Sequence, residues 1–128
     1  MREDADLSDR RFLIKLSGEL LGGPEGRGLD SNTVENIGSE IIKAYQMSNG
    51  LPIVIGGGNF FRGGQNTTWK MDRVIADQIG MIATAMNCMA LYDWFLKRDI
   101  DVHLASSFPI GDFVPIYSTL DVRKKLKC

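Results

Sequence analysis

Three consecutive glycines directly follow a short apolar run in the middle of the chain, and this feature limits the fold more than any other. The run, residues 51–55, is apolar throughout, which is typical of a strand buried on both faces of a parallel sheet. Gly56, Gly57 and Gly58 let the backbone turn sharply and let successive N–H groups approach a ligand. The pattern therefore predicts an α/β protein in which a buried strand ends in a glycine loop.

A second apolar run, residues 12–16, lies earlier in the chain and is also followed by a glycine-containing loop. Between the two runs, apolar residues recur at helical spacing over residues 34–45. We predict that Asn32 caps this helix, with Glu35 three residues later, and that Gly50 ends it. A strand, a helix and a strand in succession predict a right-handed βαβ unit. Its two strands are then parallel and end at one edge of the sheet, where α/β proteins bind ligands.

One long helix is predicted for residues 71–97. An apolar stripe of this helix comprises Ile75, Ile79, Ile82, Met86 and Ala90, and a small, polar stripe comprises Arg73, Asp77, Gly80, Thr84 and Asn87. We expect both stripes to be buried or to line a site. Residues 101–105 predict a third strand, and residues 113–117 a weaker extended segment because Pro115 suits a sheet edge. Ser118 is the predicted cap of a last, basic helix.

Composition predicts one soluble domain. No repeat, low-complexity stretch or linker interrupts the chain, so we predict a single domain over residues 1–128 that begins with a polar leader at residues 1–10. The 15 basic and 16 acidic residues give a net charge of −1, which supports neither nucleic-acid nor membrane binding. No apolar run approaches the roughly 18 residues of a membrane span, and the acidic amino end is unlike a signal peptide. We therefore expect a cytoplasmic protein in which Cys88 and Cys128 are reduced thiols.

Arg62 follows the triple glycine by four residues and makes this loop the strongest candidate site. Consecutive N–H groups can surround a phosphate, and a guanidinium pairs with phosphate oxygens. The alternative is a tight structural turn with a surface arginine. Phe61 stands where the dinucleotide-binding GxGxxG spacing requires its third glycine, and no GxxxxGK[ST] loop occurs.

Lys15 lies inside the apolar run of residues 12–16, and Ser17 and Gly18 follow that run. A lysine in a buried strand is costly without an anionic partner. Because parallel strands end at one edge, Lys15 and the glycine loop are predicted to form two phosphate-binding elements side by side. The alternative is that the lysine extends to solvent and that Ser17 and Gly18 form a plain turn.

Asp77 and Gly80 lie on the polar stripe of the long helix. Glycine in a helix interior costs about 1 kcal/mol relative to alanine, so we expect another group to approach closely at Gly80. The Asp77 carboxylate could then accept hydrogen bonds from the hydroxyl groups of a ribose. The alternative is a solvated carboxylate on the helix face. We interpret Asp72 as a structural carboxylate at the helix start, His103 as a strand residue and the basic run 123–127 as a solvated helix face. No metal-ligand spacing occurs.

Five motifs occur in the order and spacing typical of one family: FLIKLSGELL, GRGLD, LPIVIGGGNFFRG, MDRVIADQIGMIATAMNCMALYD and SSFPIGDF. Over about residues 11–127, the chain resembles the bacterial-type uridylate (UMP) kinases of the amino acid kinase superfamily. The GGGN loop is shared across that superfamily, whereas the run from MDR to ATAMN resembles the UMP kinases specifically. The resemblance implies a three-layer αβα sandwich with a mainly parallel central sheet. It also implies phosphoryl transfer from MgATP to UMP, which gives UDP and ADP.

The resemblance also implies roles for residues chosen above on physical grounds. The implied ATP- or phosphate-binding residues are Lys15, Leu16, Ser17, Gly18, Gly58 and Arg62; the implied UMP contacts are Gly57 and Asp77; and the implied catalytic residues are Lys15 and Arg62. No metal ligand is implied in this chain, because Mg²⁺ arrives as part of the MgATP substrate. Further implications are GTP or UTP as effectors near residues 26–28 and assembly as a hexamer.

Members of the family that the chain resembles are nearly twice as long. The resemblance implies that the carboxyl-terminal half is absent, and with it the uracil-side threonine loop and the adenine pocket. We therefore expect the 128 residues to be inactive as a kinase on their own. The alternative function is a truncated, non-catalytic nucleotide- or phosphate-binding module, or an assembly subunit of the same fold.

Overall fold

The computed structural model describes residues 11–62 and 69–126. The predicted polar leader, Gly63, Gly64 and Cys128 lie outside the described residues. The elements, in chain order, are β1 (Ile14–Leu16), α1 (Gly18–Leu21), a 3-10 turn (Gly23–Glu25), α2 (Ser31–Gln46), β2 (Ile53–Ile55), α3 (Arg73–Leu96) and α4 (Thr119–Lys125). The predicted order of strand, helix, strand and long helix is therefore confirmed.

Strands β1 and β2 pair in parallel, as the βαβ pattern predicts. Ile14 is opposite Ile53 and Leu16 is opposite Ile55, so both strands end at the same edge. The paired segments are shorter than the apolar runs that predicted them. The glycine loop starts directly beside the end of β1, because the N–H of Gly56 donates to the Leu16 carbonyl at 2.9 Å.

One face of the two strands is covered by helices and the other is open. The core consists of Leu21, Ile41, Ile55, Leu91 and Phe95, and it joins α2 and α3 to the covered face. Lys15 and Val54, which pair in register, lie on the other face, where Val54 is 50% exposed. The described residues thus supply the sheet and one helical layer of the predicted three-layer sandwich, and the α/β class with a parallel sheet is confirmed.

Helix α2 begins earlier than its sequence pattern predicts. Its cap is Asp30, not Asn32: the Asp30 carboxylate accepts hydrogen bonds from the Thr33 N–H at 2.9 Å and the Thr33 hydroxyl at 2.6 Å. The hydroxyl bond and then the N–H bond lower the pKa of the Asp30 carboxyl. Aspartate and asparagine cap about equally well, and here the residue with Thr33 three positions later makes the contact.

Helix α3 is slightly shorter than predicted, and of its two predicted stripes the small, polar one lies on the buried side, where Asn87 is buried, whereas the apolar one is largely exposed. Asp72 caps the helix by accepting from the N–H groups of Val74 and Ile75, which supports its structural interpretation. The buried residues are Ala76, Ala83, Asn87, Leu91 and Phe95. In the predicted apolar stripe, Ile75, Ile82 and Met86 are exposed. Where the helix packs against the glycine loop, the inward residue is the small Ala83, and the large buried residues Leu91 and Phe95 lie further along the same side.

Helix α3 is also long and apolar enough to cross a membrane by length and composition. Only 28% of its most apolar stretch is buried. The core helix of a soluble protein meets the same two criteria. The prediction of no membrane span used uninterrupted apolar runs, and the charged and polar residues of α3 interrupt its apolar side chains.

The predicted third strand is absent from the part of the chain that the structure describes. Residues 101–105 form no ladder, although Val102 packs against the core. The segment 113–117 is linked to Ser106 by an isolated bridge, in which Ser106 N–H donates to Pro115 and Tyr117 N–H donates to Ser106. A strand needs a neighbouring strand to accept its hydrogen bonds, and residues 101–105 lack one among the described residues. The Ser118 cap of α4 is confirmed by its hydrogen bond from the Asp121 N–H.

Helices α2 and α3 meet at a tight crossing where Gly38 faces Trp94. Arg98 stacks 3.5 Å from the centre of the Trp94 ring. Arg98 and the Trp94 indole N–H both donate to the Glu35 carboxylate, at 2.6 and 3.1 Å. The ring therefore has little freedom to move, and a Cβ atom at Gly38 would lie 2.5 Å from it.

We expect Gly38→Ala to lower the free energy of unfolding by about 1–2 kcal/mol. Alanine gains about 1 kcal/mol in helix propensity, but overpacking a rigid contact costs typically 1–3 kcal/mol or more, and the 2.5 Å approach makes the clash the larger effect. Urea unfolding of the variant measures the change. Asn36→Ala, on an exposed position of the same helix, is the control and should be neutral or stabilising. A Gly38→Ala protein as stable as this control would contradict the crossing geometry.

Candidate functional site

The loops after β1 and β2 touch at the carboxyl edge of the sheet. A Cβ atom at Gly18 would lie 2.6 Å from the Gly56 carbonyl oxygen and 2.8 Å from the Gly58 nitrogen. Both distances are too short for any side chain, so the close approach requires glycine at position 18. The prediction that the two loops lie together at one edge is therefore confirmed.

The glycine loop packs against α3 and leaves backbone donors available. A Cβ atom at Gly57 would lie 2.8 Å from the Ala83 Cβ and 2.9 Å from the Thr84 nitrogen. The Gly57 carbonyl accepts from the N–H groups of Phe60 and Phe61, which closes the turn. Within residues 11–62 and 69–126, no acceptor is seen for the N–H groups of Gly57 and Gly58. Unpaired N–H groups in a glycine loop are the donors that bind anions.

Arg62 lies over this loop. Its Nε donates to the Gly58 carbonyl at 3.1 Å, and its Nη2 lies 3.0 Å from the Glu19 carboxylate. The Arg62 side chain is 42% exposed, so its guanidinium is accessible to a ligand. Sequence reasoning missed Glu19, although its position two residues after Ser17 places it in the loop region at the same edge. The loop and Arg62 together form a positively charged donor set, which Glu19 partly neutralises.

Lys15 does not have the burial that the sequence argument assumed. Its side chain is exposed on the open face of the sheet, beside Val54, so that assumption is wrong for the described residues. Leu16 contributes its carbonyl to the loop contact and its side chain to the core. Ser17 precedes α1 without a capping hydrogen bond from its side chain and is exposed.

Asp77 lies on α3 six residues before Ala83, about 9 Å along the helix axis from the contact with the glycine loop. Its carboxylate is 64% exposed and pairs with Arg73 Nε at 3.5 Å. A Cβ atom at Gly80 would meet nothing within 4 Å. The expected close approach at Gly80 is therefore wrong among the described residues, and Asp77 has the environment of a solvated helix-face carboxylate.

An open groove of about 490 Å³ adjoins the site on the side of the 3-10 turn. Its lining consists of Ser17, Glu19, Leu20, Gly23, Pro24, Glu25, Gly26 and Thr33. The charged residues among these are acidic, and the groove includes neither Lys15 nor the glycine loop. A phosphate would be repelled here, so the groove does not serve as the anion site.

Two buried asparagines beneath the loop were not predicted as a pair. Asn59, in the glycine loop, and Asn87, on α3, hydrogen-bond to each other through both side-chain amides. Asn59 also contacts residue Gly28, whose φ of 62° is in the left-handed region. An asparagine inside a glycine loop and another on the buried side of a helix are the available signals, but the sequence does not say that they meet.

Other candidate residues lie apart from this edge. His103 Nε2 lies 3.1 Å from the Asp101 carboxylate, and the His103 side chain is half exposed. Burial raises the pKa of the Cys88 thiol, which favours the protonated form. Among the residues that the structure describes, no group of three His, Cys, Asp or Glu side chains could hold a metal ion. The basic last turn of α4, including Arg123 and Lys124, is exposed as predicted.

Comparison with known proteins connects this geometry to a family, although no family model matches the sequence. The uridylate kinase of Streptomyces avermitilis is 38% identical over 132 aligned positions, which cover 99% of this chain and 52% of that protein. The uridylate kinase of Mannheimia succiniciproducens is 37% identical and covers 92% of this chain. The crystal structure of UMP kinase from Bacillus anthracis superposes with a TM-score of 0.84 at 35% identity, over 91% of this chain and 48% of that one. In sequence and fold, the chain corresponds to about half of a uridylate kinase.

The match to the uridylate kinases extends over nearly all of this chain but not over the relatives. The chain spans about half the length of the curated relatives it matches. The UMP kinase of Ureaplasma parvum shows the same proportion, with a TM-score of 0.82 at 28% identity over 51% of its chain. The predicted family and the predicted fold class are confirmed. The assignment of individual residues to ATP and UMP stays a prediction.

Proposed function

We propose that this chain forms the acceptor side of a UMP kinase, which transfers the γ-phosphoryl group of MgATP to UMP and releases UDP and ADP. The observation that carries the proposal is the pair of N–H groups at Gly57 and Gly58, which have no acceptor among the described residues, beside the Arg62 guanidinium. Phosphoryl transfer depends mainly on positioning and on stabilising negative charge, and both need such donors. The similarity to uridylate kinases supports UMP as the acceptor.

The proposed role of each residue is the one that the resemblance to the uridylate kinases implies. Lys15 and Arg62 are the catalytic cations, which hold the phosphates and offset the charge that spreads over the transferring group. The proposed ATP-phosphate contacts are Lys15, Leu16, Ser17, Gly18, Gly58 and Arg62, and the proposed UMP contacts are Gly57 and Asp77. Mg²⁺ enters with ATP, and no covalent intermediate is needed.

Binding of a phosphate to the Arg62 guanidinium requires the ion pair between Arg62 and Glu19 to break. Both side chains of this ion pair are about half exposed, and exposed ion pairs contribute about 0–1 kcal/mol. A phosphate carries more charge than a carboxylate and accepts two parallel hydrogen bonds from a guanidinium, which makes the exchange favourable. Arg62 would keep its bond to the Gly58 carbonyl and so remain over the loop.

The proposed binding partners and cellular location of the protein are those that the resemblance to the uridylate kinases implies. The exposed apolar residues of α3, including Ile75, Ile82 and Met86, form a surface that a second copy would cover in a homo-oligomer, with a hexamer as the proposed state. GTP or UTP would act as effectors near residues 26–28. We propose a cytoplasmic protein that has no nucleic-acid or membrane partner.

Asp77→Asn tests the acceptor assignment. We expect UMP to bind the chain weakly and to bind this variant about fivefold more weakly still, because the amide loses the charge assistance of a carboxylate hydrogen bond. ATP binding should not change. Isothermal titration with each nucleotide makes the measurement. Arg73→Ala is the matched control, since it removes the 3.5 Å ion pair and keeps the carboxylate. An equal loss for UMP and ATP, or none for UMP, would reject Asp77 as a ribose ligand.

The alternative function is a non-catalytic nucleotide-binding module or an assembly subunit. The observation in its favour is that the chain spans only about half the length of the relatives it matches. It shares the phosphate site and differs only in turnover. Binding of UMP without UDP formation, even when the other half of a uridylate kinase is supplied, would support this alternative.

A further inference from the structure

Asn59 and Asn87 form a closed hydrogen-bonded pair under the glycine loop. Asn59 is 5% exposed and Asn87 is fully buried. The Asn59 Nδ2 donates to Asn87 Oδ1 at 2.9 Å, and the Asn87 Nδ2 donates to Asn59 Oδ1 at 2.7 Å. The remaining amide protons go to backbone carbonyls: Asn59 donates to Gly28 at 2.7 Å and Asn87 donates to Gly56 at 2.8 Å. Every amide donor of the pair therefore has an acceptor.

The two backbone carbonyls explain why this position holds amides and not apolar side chains. The partly buried Gly56 and Gly28 carbonyls lie outside helices and strands, and an apolar side chain in place of either asparagine would remove the donor that its carbonyl accepts from. They also determine which way each amide points, because a flipped amide would bring oxygen against carbonyl oxygen. The pair thus connects three segments: the glycine loop, the Gly28 turn and helix α3.

The asparagine pair also lies next to the residues that we propose to bind phosphate, but the two asparagine side chains are themselves buried. Asn87 donates to the Gly56 carbonyl, and the two residues after Gly56, Gly57 and Gly58, carry the N–H groups for which the described part of the chain shows no acceptor. One turn before Asn87, Ala83 is the residue that Gly57 packs against. A Cβ atom at Gly18 would lie 2.7 Å from the Asn59 Oδ1, so the pair also limits the loop after β1.

We propose that Asn59 and Asn87 are positioning residues, which orient the Gly57 and Gly58 N–H groups toward phosphate by holding the Gly56 and Gly28 carbonyls. The proposal rests on the proposed function of the glycine loop. It assigns to the pair no contact with nucleotide. Its effect on binding passes through the backbone of the loop, and removing a donor from the pair releases that backbone.

Asn87→Asp tests the proposal with little change in shape. The aspartate keeps the acceptor for Asn59 but puts an oxygen against the Gly56 carbonyl and against Asn59 Oδ1. We expect UMP affinity to fall about tenfold, the equivalent of one lost hydrogen-bonded contact in the loop. Asn59→Ser is the second variant: its hydroxyl is too short to bridge both partners, and we expect a smaller loss in the same direction. Titration with UMP at a temperature where each protein is folded gives the affinities.

Gly38→Ala separates positioning from general loss of stability. This variant strains the crossing of α2 and α3 at Trp94 and touches no residue of the loop. Its UMP affinity should equal that of the unmodified chain although its stability is lower. Equal affinity in Asn87→Asp, an equal loss in Gly38→Ala, or unfolding of both asparagine variants would overturn the proposal, since each result leaves the pair a structural role only.

A measurement without nucleotide distinguishes this inference from the proposed function. In amide NMR spectra of the chain, Asn87→Asp should shift the Gly57 and Gly58 resonances, and Gly38→Ala should not. If the unmodified chain binds no UMP, the proposed function fails and these shifts alone decide the inference. Unshifted Gly57 and Gly58 resonances in Asn87→Asp would overturn it.

Discussion

We expect the 128-residue chain to form no UDP from ATP and UMP on its own, and to form it after addition of the carboxyl half of a uridylate kinase. The N–H groups that we propose to bind phosphate lie at one sheet edge, but the chain spans only about half the length of the relatives it matches. Donor and acceptor must be held in line for phosphoryl transfer, and positioning supplies much of the rate. An acceptor site alone therefore binds without turning over.

The portion of the Streptomyces avermitilis uridylate kinase that this chain does not match provides a suitable second half, since the portion that it does match is 38% identical to this chain. Each half is assayed alone and then mixed, with UDP as the readout. Lys15 and Val54 on the open sheet face are where the added half is expected to pack. Turnover by this chain alone would contradict the half-site argument. A mixture that binds UMP and stays inactive would favour the non-catalytic module.

In the active mixture, Lys15→Ala and Arg62→Ala should each lower kcat about 10²- to 10³-fold, the usual loss for one preorganised group that stabilises transition-state charge. The melting temperature of the chain alone should change little, because Lys15 is exposed there and the Arg62 ion pair with Glu19 is half exposed. Steady-state kinetics and thermal unfolding measure the two effects. Lys124→Ala, an exposed lysine on α4, is the charge-matched control and should keep full activity.

Arg62→Ala has a second consequence that Lys15→Ala lacks. It leaves the Glu19 carboxylate unpaired beside the phosphate site, where it repels phosphate. The double variant Glu19→Gln/Arg62→Ala removes that repulsion and should recover part of the loss. Its remaining defect measures the catalytic contribution of the guanidinium. Normal turnover in both single alanine variants would show that neither cation acts on the transferring group.

Several features were predictable because they depend on neighbours a few positions apart. The apolar runs and the intervening helix were sufficient for a parallel pair of strands, and parallel strands bring the loops after Leu16 and Ile55 to one edge. Ser118 was recognisable as a cap for the same local reason. The family motifs supplied the kinase assignment, which the comparisons confirm at the level of the family.

The errors concern which surfaces are covered. Periodicity ranks sides of α3 by hydrophobicity, but the close approach of Gly57 to Ala83 selects the side with small residues. Lys15 was expected to be buried because its neighbours are apolar, yet burial depends on a layer that the described residues do not provide. Residues 101–105 alternate as a strand does, and without a partner strand they form no ladder.

Short-range patterns in the chain were thus enough for the two paired strands, for the presence of the helices and for the glycine loop, although they placed the α2 cap at Asn32 where Asp30 makes the contact. The Asn59–Asn87 pair, the Glu19–Arg62 contact and the crossing of Gly38 with Trp94 join residues 28, 43 and 56 positions apart. Such pairs form only when packed elements bring donors, carbonyls and rings within reach of each other. Tertiary packing alone therefore decided how the glycine loop is held and which of its N–H groups have no acceptor among the described residues.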